Sequence, residues 1–308
     1  MKATKISTRQ SEVGSLREMS LQSVDLGQVK LAYVEAGEGE PVVLVHGIPT
    51  DYRAWSSQIR PFSRKYHVVA YSRRLAQPNR NEMDYEKSTV ENNSADLVGL
   101  IEKLGLSSVH LVGHSYGGFA AAYCASTNPQ LIRTLTLIEP AVSTMLLKNR
   151  KSTSEFLGLL FSHPSIAVSA AKFQRGSLDP SLKAFRQGDF DAALRLNLDG
   201  IMNQQRAFER LTEPVRIMTK ENEKTVGELM AEVPAFGREE ASKISAPTLL
   251  IHGSESPRVL HAIVDRLGRA IPQSEVSTIS GATHFPHLEK PQEFNELVLG
   301  FLSKHESN

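Results

Sequence analysis

Short apolar runs alternate with amphipathic stretches along most of the chain. The runs that have the length and composition of buried strands are 42–45, 67–71, 109–112, 133–138, 246–253 and 275–279. Two further runs, 21–27 and 28–35, are separated by a turn and predict a hairpin. Strands that alternate with helices are typical of an α/β fold, so we expect a mainly parallel central sheet.

The amphipathic stretches predict helices between these strands. In 91–104, Leu97, Leu100 and Ile101 share one face, and Gly105 follows as a C-terminal cap. Further helices are predicted at 52–62, 119–125, 257–270 and 292–303.

Residues 141–243 break this alternation, because they are helical in pattern and contain no strand signal. Helix starts are indicated at Asp179, Asp189 and Glu213. Two sets of apolar residues recur at helical spacing: Phe156, Leu157, Leu160 and Phe161, and Leu194, Leu198, Ile201 and Met202. The parts that we predict are a leader at 1–20, an α/β core formed by 21–140 and 244–308, and a helical insertion at 141–243.

The composition narrows the class of protein. A chain of 308 residues that is 40% hydrophobic can build a sizeable core, and its net charge of +1 argues against a nucleic acid or a membrane surface as a partner held by charge. The single cysteine, Cys124, allows no intramolecular disulfide and is expected to be a buried core thiol. Residues 1–20 lack the apolar segment of a secretion signal, and no apolar run could span a bilayer, so we expect a cytoplasmic protein.

The first chemical signal is Gly113-His114-Ser115-Tyr116-Gly117, which joins a predicted strand to a predicted helix. A sharp turn there would lift the serine hydroxyl above the sheet edge, and the flanking glycines would leave space for the turn. Ser115 is therefore the candidate nucleophile. The amide of Tyr116, at the start of the helix, is a candidate donor to an oxyanion.

A second signal is the turn His46-Gly47-Ile48-Pro49, which follows the strand at 42–45. Gly47 lets the backbone turn so that the amide of Ile48 can point into a site, and Pro49 restricts the residue before it. Ile48 is thus a second candidate oxyanion donor. Taken alone, the same sequence is also typical of an ordinary strand-to-helix turn with a hydrogen-bonded histidine.

The third signal is His284, on the loop after the last predicted strand. Because the carboxyl ends of parallel strands lie at one edge of a sheet, His284 would stand beside Ser115, where a general base is needed. His287 is the nearby rival, although we expect it to be a surface histidine. The other histidines near strand ends, His46 and His114 among them, are not at ligand spacing, so no metal or cofactor is predicted.

In their order and separations, these three motifs resemble those of the α/β-hydrolase fold family, and the resemblance covers nearly the whole chain from about Leu21. It implies a helical cap inserted after the sixth strand, at 141–243. The His-Gly-x-Pro form is most similar to the branch that contains epoxide hydrolases, haloalkane dehalogenases and related esterases. That branch often has an aspartate nucleophile, whereas Ser115 favours acyl transfer.

The resemblance also implies the role of each residue. Ser115 would attack a carbonyl, His284 would take and return the proton, and the amides of Ile48 and Tyr116 would hold the oxyanion. The substrate would be a small carboxylic ester or a lactone. The alternatives on the same fold are a carbon–carbon bond hydrolase of diketones, a cofactor-free oxygenase and a ligand receptor. The sequence carries no signal for the oligomeric state.

The acid of the triad is where the chain departs from the family. Most members place an aspartate three residues after a glycine that follows the seventh strand, but here Ser256 stands at that position, and a hydroxyl cannot stabilise an imidazolium as a carboxylate does. Two candidates remain open. Glu139 lies at the end of the sixth strand, 24 residues after Ser115 (139 minus 115), which resembles the acid of some haloalkane dehalogenases. Glu255 lies one residue before the usual position. We favour Glu139, because a strand end fixes the side-chain direction better than a loop does.

The loop at 72–80 is a second departure. Many family members carry a glycine-rich turn there, and this chain has Arg73 and Arg74 instead. The two arginines could recognise a carboxylate of the substrate. Since an arginine near a sheet edge usually has a structural partner, we predict that both pair with acidic residues of the core.

Overall fold

The structure, a computed structural model, describes residues 19–149 and 152–307. Eight strands form one sheet in the order β1-β2-β4-β3-β5-β6-β7-β8. The strands are β1 (Gln22–Asp25), β2 (Lys30–Ala36), β3 (Pro41–Val45), β4 (His67–Tyr71), β5 (Val109–His114), β6 (Ile132–Ile138), β7 (Thr248–Gly253) and β8 (Ser274–Ile279). Except for Met19 and Ser20, the predicted leader at 1–20 lies outside the described residues.

The sheet is mostly parallel, as the sequence predicts. Strands β3 to β8 run parallel to one another, whereas β1 and β2 form the predicted hairpin and β2 pairs with β4 in the antiparallel direction. The carboxyl ends of β3, β5, β6, β7 and β8 therefore meet at one edge of the sheet. In an open parallel sheet, this edge is where ligands bind.

Helices cover both faces of the sheet. Outside the segment between β6 and β7, the α-helices are α1 (Ser56–Phe62), α2 (Val90–Lys103), α3 (Ser115–Thr127), α11 (Arg258–Ala270), α12 (Pro286–Glu289) and α13 (Pro291–Ser303). Helices α2, α3 and α11 contribute to one apolar cluster, and α1 and α13 contribute to the other. Along β3, Val43 and Val45 join the first cluster while Val42 and Leu44 join the second, because successive side chains of a strand point to opposite faces.

The stretch between β6 and β7, residues 139–247, is called the inserted segment below. Its described part contains helices and no strand, in agreement with the sequence pattern. Its α-helices are α4 (Thr153–Ser162), α5 (Pro164–Phe173), α6 (Asp179–Arg186), α7 (Phe190–Ile201), α8 (Ala207–Arg210), α9 (Glu213–Glu221) and α10 (Arg238–Ser242). Two of the three start signals are confirmed, because α9 begins at Glu213 and Asp189 accepts a hydrogen bond from the Ala192 amide to cap α7. The signal at Asp179 is wrong, since a π-helical turn at Gln174–Leu178 joins α5 to α6 and Leu178 already has helical backbone angles.

The two apolar sets of the inserted segment have different environments. All four residues of the second set, from Leu194 to Met202, are buried. In the first set, Phe161 is 86% exposed and Leu157 is 44% exposed, while Leu159, outside the set, is buried. Helical spacing puts residues on a common face of α4, but it does not determine which face packs against the rest of the molecule.

The composition predicts a buried Cys124 and no segment that spans a membrane. Cys124 is buried in α3, so the prediction of a buried core thiol is confirmed, and burial raises the pKa of the thiol to about 12. In the described ranges, each helix is too short or too polar to cross a lipid bilayer.

Candidate active site

Ser115 lies at a sharp turn between β5 and α3, with φ at +53°, a backbone conformation that is uncommon for a residue other than glycine. Its neighbours explain why glycines flank the turn. A Cβ atom on Gly117 would lie 2.2 Å from the carbonyl oxygen of His46, and one on Gly113 would lie 2.8 Å from the Cβ atom of Ala121. The GxSxG spacing therefore allows α3 to pack closely on the sheet while the serine is held at the edge.

Three side chains from distant parts of the chain form a continuous line of hydrogen bonds. The Oγ atom of Ser115 lies 2.9 Å from Nε2 of His284, and Nδ1 of His284 lies 2.6 Å from Oε2 of Glu139. All three residues are buried. The structure thus brings together the candidate nucleophile, the candidate base and the favoured candidate acid, in the arrangement that nucleophilic catalysis by serine requires.

The second oxygen of Glu139 fixes the direction of the carboxylate. Glu139 directly follows β6, with φ at +41°, and its Oε1 atom accepts a hydrogen bond of 2.9 Å from the amide of Gly253, the last residue of β7. The carboxylate is therefore held between His284 and the end of the neighbouring strand. A strand end does give this side chain a defined direction.

Glu255, the alternative acid, is not brought to this line. It is exposed, and the hydrogen bond of its Oε1 atom joins it to the Ser254 hydroxyl on the same loop. Ser256, at the position where the family resemblance places the acid, is buried, and its Oγ atom has no hydrogen-bond partner among the described residues.

The candidate oxyanion donors lie at the same place as Ser115. Ile48 and Tyr116 both line the cavity that Ser115 and His284 line. Tyr116 is the second residue of α3, so its amide has no carbonyl partner within the helix. A Cβ atom on Gly47 would lie 2.8 Å from the Cβ atom of Ser115, so glycine is what lets the turn before Ile48 approach the nucleophile.

The expectation of a surface position for His287 is wrong. The residue is fully buried, its ring stacks against Trp55 and His114 with centroid distances of 4.7 and 4.6 Å, and burial and the neighbouring His284 lower its pKa to about 3. Neither ring nitrogen has a hydrogen-bond partner among the described residues. The spacing of residues along this loop does not indicate that the histidine packs as an aromatic ring in the interior, and for that reason the sequence did not predict it.

His114 is a functional candidate that the sequence reasoning did not single out. Its Nε2 atom lies 2.8 Å from the carbonyl oxygen of His284 and donates to it, so the ring holds the backbone of the candidate base. Burial is the main cause of a pKa far below the usual value, which keeps the ring neutral. The feature of the sequence that could have indicated this role is the position of His114 between Gly113 and Ser115 in the motif.

Both arginines of the loop after β4 have acidic partners, as predicted, but only the partner of Arg74 belongs to the core. Nη1 of Arg73 lies 2.5 Å from Oε2 of Glu228, in the inserted segment, and Arg74 pairs with Asp96 of α2 at 2.8 Å. The guanidinium of Arg73 also lies 4.9 Å from the ring centroid of Tyr116. Arg73 therefore joins the inserted segment to the helix that carries the candidate nucleophile.

Ser115 and His284 open into a cavity of about 340 Å³, near the lower end of the range for ligand sites. We call this space the cavity. The inserted segment provides much of its wall, which is mainly apolar: Leu146, Leu147, Phe156, Ala170, Ala171, Phe173, Leu178, Ile201 and Leu229. In the ranges 19–149 and 152–307, no group of three His, Cys, Asp or Glu residues has an arrangement that could hold a metal ion.

Comparisons with known proteins agree with this fold. A family model described as alpha/beta hydrolase fold matches residues 40–291. Epoxide hydrolase A of Mycobacterium tuberculosis is 29% identical, over 91% of this chain and 96% of that protein. A 2-hydroxy-6-oxononadienedioate/2-hydroxy-6-oxononatrienedioate hydrolase of Paraburkholderia xenovorans is 24% identical, over 90% of this chain and 92% of that protein. A solved structure described as Est816, an N-acyl homoserine lactone degrading enzyme, has the same fold, with a TM-score of 0.61 at 23% identity over 91% of this chain and 100% of that one.

Proposed function

The chain belongs to the alpha/beta hydrolase fold family, and from that premise we propose that it cleaves small carboxylic esters or lactones through an acyl-enzyme on Ser115. The observation that carries the proposal is the hydrogen-bonded line of Ser115, His284 and Glu139 beside an apolar cavity. The size of the cavity favours small substrates, and the apolar side chains that form most of its wall, which also includes Arg175, favour a largely apolar chain next to the reacting carbonyl.

In the proposed reaction, His284 takes the proton of the Ser115 hydroxyl at Nε2 as the oxygen adds to the carbonyl carbon. Glu139 accepts the hydrogen bond from Nδ1–H and stabilises the imidazolium that forms. The imidazolium then gives its proton to the leaving alcohol, which departs as the carbonyl re-forms. Water, deprotonated by the same histidine, attacks the acyl-enzyme, and the imidazolium returns its proton to the Ser115 oxygen as the acid is released.

The negative charge that develops on the carbonyl oxygen needs donors already in position. The amides of Ile48 and Tyr116 are the candidates, because both residues line the cavity beside Ser115. A donor of this kind typically contributes about 2.7–4 kcal/mol of transition-state stabilisation. The contribution comes from the backbone, so the side chains of these two residues would matter mainly for the shape of the cavity.

The identity of the nucleophile distinguishes ester hydrolysis from epoxide opening, which is the reaction named for one of the relatives. If a serine oxygen opened an epoxide, the product would be an ether, which water does not cleave under mild conditions. If a serine oxygen attacks an ester, the product is again an ester, and water can release it. A Ser115 hydroxyl therefore supports acyl transfer.

The test is hydrolysis of 4-nitrophenyl butyrate by the wild type and by Ser115→Ala, Glu139→Gln and Glu255→Gln. We expect Ser115→Ala to abolish turnover and Glu139→Gln to lower kcat by about 10³–10⁴-fold, because the imidazolium loses its carboxylate. Glu255→Gln is the matched control, since it makes the same chemical change on an exposed loop, and its kcat should stay within about twofold. Circular dichroism and melting temperature would verify that each variant is folded.

Other results of this assay would change either the assignment of the acid or the proposed reaction. A collapse with Glu255→Gln instead of Glu139→Gln would keep the reaction and overturn the assignment of the acid. A folded wild type that releases no nitrophenol from the butyrate and acetate esters and forms no hydroxy acid from a lactone would overturn the proposal. Cleavage of a diketone by such a protein would then identify a carbon–carbon bond hydrolase, and slow labelling of Ser115 in a single turnover would favour a receptor.

A further inference from the structure

Asn197 is a polar residue in the mainly apolar wall of the cavity. It lies on α7, is 3% exposed and lines the cavity together with Ile201, one helical turn further along the same face. Its side chain makes no hydrogen bond to any group in the described part of the chain. Gln174, another amide on the wall, differs because its Nε2 atom donates to Asp179 at 2.5 Å.

An amide at this place gains little from the apolar wall around it. The amide atoms of Asn197 are not among the fully buried polar atoms without a partner, so they face the open space of the cavity, where a leucine of similar size would pack more favourably against the apolar neighbours. A wall that served only to hold a hydrocarbon chain would thus be better built with leucine at 197. The carboxamide does gain a partner if the ligand supplies one, since it offers two N–H donors and a carbonyl acceptor.

We propose that Asn197 is a specificity-determining residue that hydrogen-bonds a second polar group of the substrate, a carbonyl or a secondary amide in the acyl chain. This inference rests on the proposed hydrolysis at Ser115, because it assigns the substrate class of the same cavity. The substrate would then be an ester or a lactone whose acyl part has one polar group within an otherwise apolar chain. A site built to bond such a group rejects the analogue that lacks it, because the site is left with an unpaired amide.

The experiment compares 4-nitrophenyl esters in matched pairs. One member of each pair is the acyl chain of N-acetylglycine, N-acetyl-β-alanine or N-acetyl-4-aminobutyrate, which moves the amide away from the ester one carbon at a time. The other member is the hydrocarbon acyl chain with the same number of chain atoms. For at least one position of the amide, we expect the wild type to have a kcat/KM about tenfold or more above that of the hydrocarbon ester.

The variant Asn197→Leu should bring the ratio of amide to hydrocarbon kcat/KM close to one, because it replaces the amide by an apolar group of similar size. The matched control is Ile201→Val, which changes the shape of the same wall without changing its polarity. Its ratio of amide to hydrocarbon kcat/KM should equal that of the wild type. An equal ratio in the wild type and in a folded Asn197→Leu would overturn the proposal and leave the hydrolase standing.

A binding measurement separates this inference from the proposed function. In the Ser115→Ala background, calorimetry gives the Kd of N-acetyl-β-alanine methyl amide and of the hydrocarbon amide of equal length, with and without Asn197→Leu. A preference for the first ligand that Asn197→Leu abolishes would support the recognition role even if the wild type hydrolysed no ester. If ester turnover were normal and no such preference existed for substrates or for bound amides, only the role of Asn197 would be wrong.

Discussion

His287 lies between Trp55 and His114 with both ring nitrogens buried and without a partner among the described residues. Its pKa is about 3 in the folded protein and close to 6.5 in the unfolded chain. Between these values the unfolded chain binds the additional proton, so the contribution of the neutral ring to stability is complete above pH 6.5. It is lost progressively as the pH falls toward 3.

We therefore predict that His287→Phe makes the protein less sensitive to acid. On going from pH 7.5 to 5, the wild type should lose about 2 kcal/mol more of its free energy of unfolding than the variant, because phenylalanine keeps an aromatic ring in place without a proton to bind. Urea unfolding at the two pH values measures this difference. His46 and His114, whose pKa values are also lowered by burial, remain in both proteins. Equal losses in the two proteins would contradict the prediction.

For individual residues, the sequence predicted contacts that depend on the ends of strands, but it missed contacts that depend on packing between distant elements. The contact between Glu139 and His284 could be expected because each residue follows a strand of the same sheet. The burial of His287 depends on α1 and α13, which pack around it from distant parts of the chain. Whether a loop side chain is covered cannot be read from its immediate neighbours in sequence.

Among the helices, the close packing of α3 against the sheet depends most strongly on one small residue, Gly117. In Gly117→Ala the new Cβ atom would lie 2.2 Å from the backbone oxygen of His46, so either α3 or the turn before Ile48 must move. We expect a loss of about 1–3 kcal/mol in the free energy of unfolding, together with a loss of esterase activity, because the same backbone carries Ser115. Urea unfolding and the butyrate assay would measure the two effects.

A matched substitution distinguishes this crowding from a general effect of alanine. Gly158 lies in α4, and a Cβ atom there would have no other atom within 4 Å. Gly158→Ala should therefore stabilise the protein by about 0.5–1 kcal/mol, because alanine is the better helix former. If both substitutions changed stability in the same direction, close packing at Gly117 would not be the explanation.

The order and type of the elements followed from the sequence to a large extent. Gly105 adopts a positive φ of 66° after α2, as a helix-ending glycine does, and the start signals at Asp189 and Glu213 located α7 and α9. The face that a helix buries was less predictable. In α4, Phe156 lines the cavity whereas Phe161 is exposed, and the difference depends on what packs against the helix.

For the whole molecule, one buried ion pair joins the core to the inserted segment. Arg73 follows β4, Glu228 belongs to the inserted segment, and both side chains are completely buried, which raises the pKa of the glutamate. We predict that Arg73→Met and Glu228→Met each lower the free energy of unfolding by about 3–5 kcal/mol, because each leaves a buried charge or its neutralised form without its partner. The double variant should lose far less than the sum of the two.

Urea unfolding of the four proteins in this cycle measures the coupling between the two residues. A strictly additive double variant would show that the pair does not act as a unit, and the contact between core and inserted segment would then depend on other interactions, such as the hydrogen bond from Asn222 to Asp51. The sequence predicted an acidic partner for Arg73 but could not identify Glu228, which lies 155 positions away. Only the folded chain brings such distant residues together.

The separation of the proposed catalytic residues along the chain has a consequence for the biosynthesis of the protein. Ser115 and His284 are 169 positions apart, and the acid that orients the histidine lies 145 positions before it. A ribosome that adds about 5–20 residues per second needs roughly 10–30 s to proceed from the codon of the nucleophile to that of the base. During this interval the nascent chain has a serine at the elbow but no histidine to activate it. On the proposed mechanism, hydrolysis therefore begins only when translation of the α/β core is almost complete.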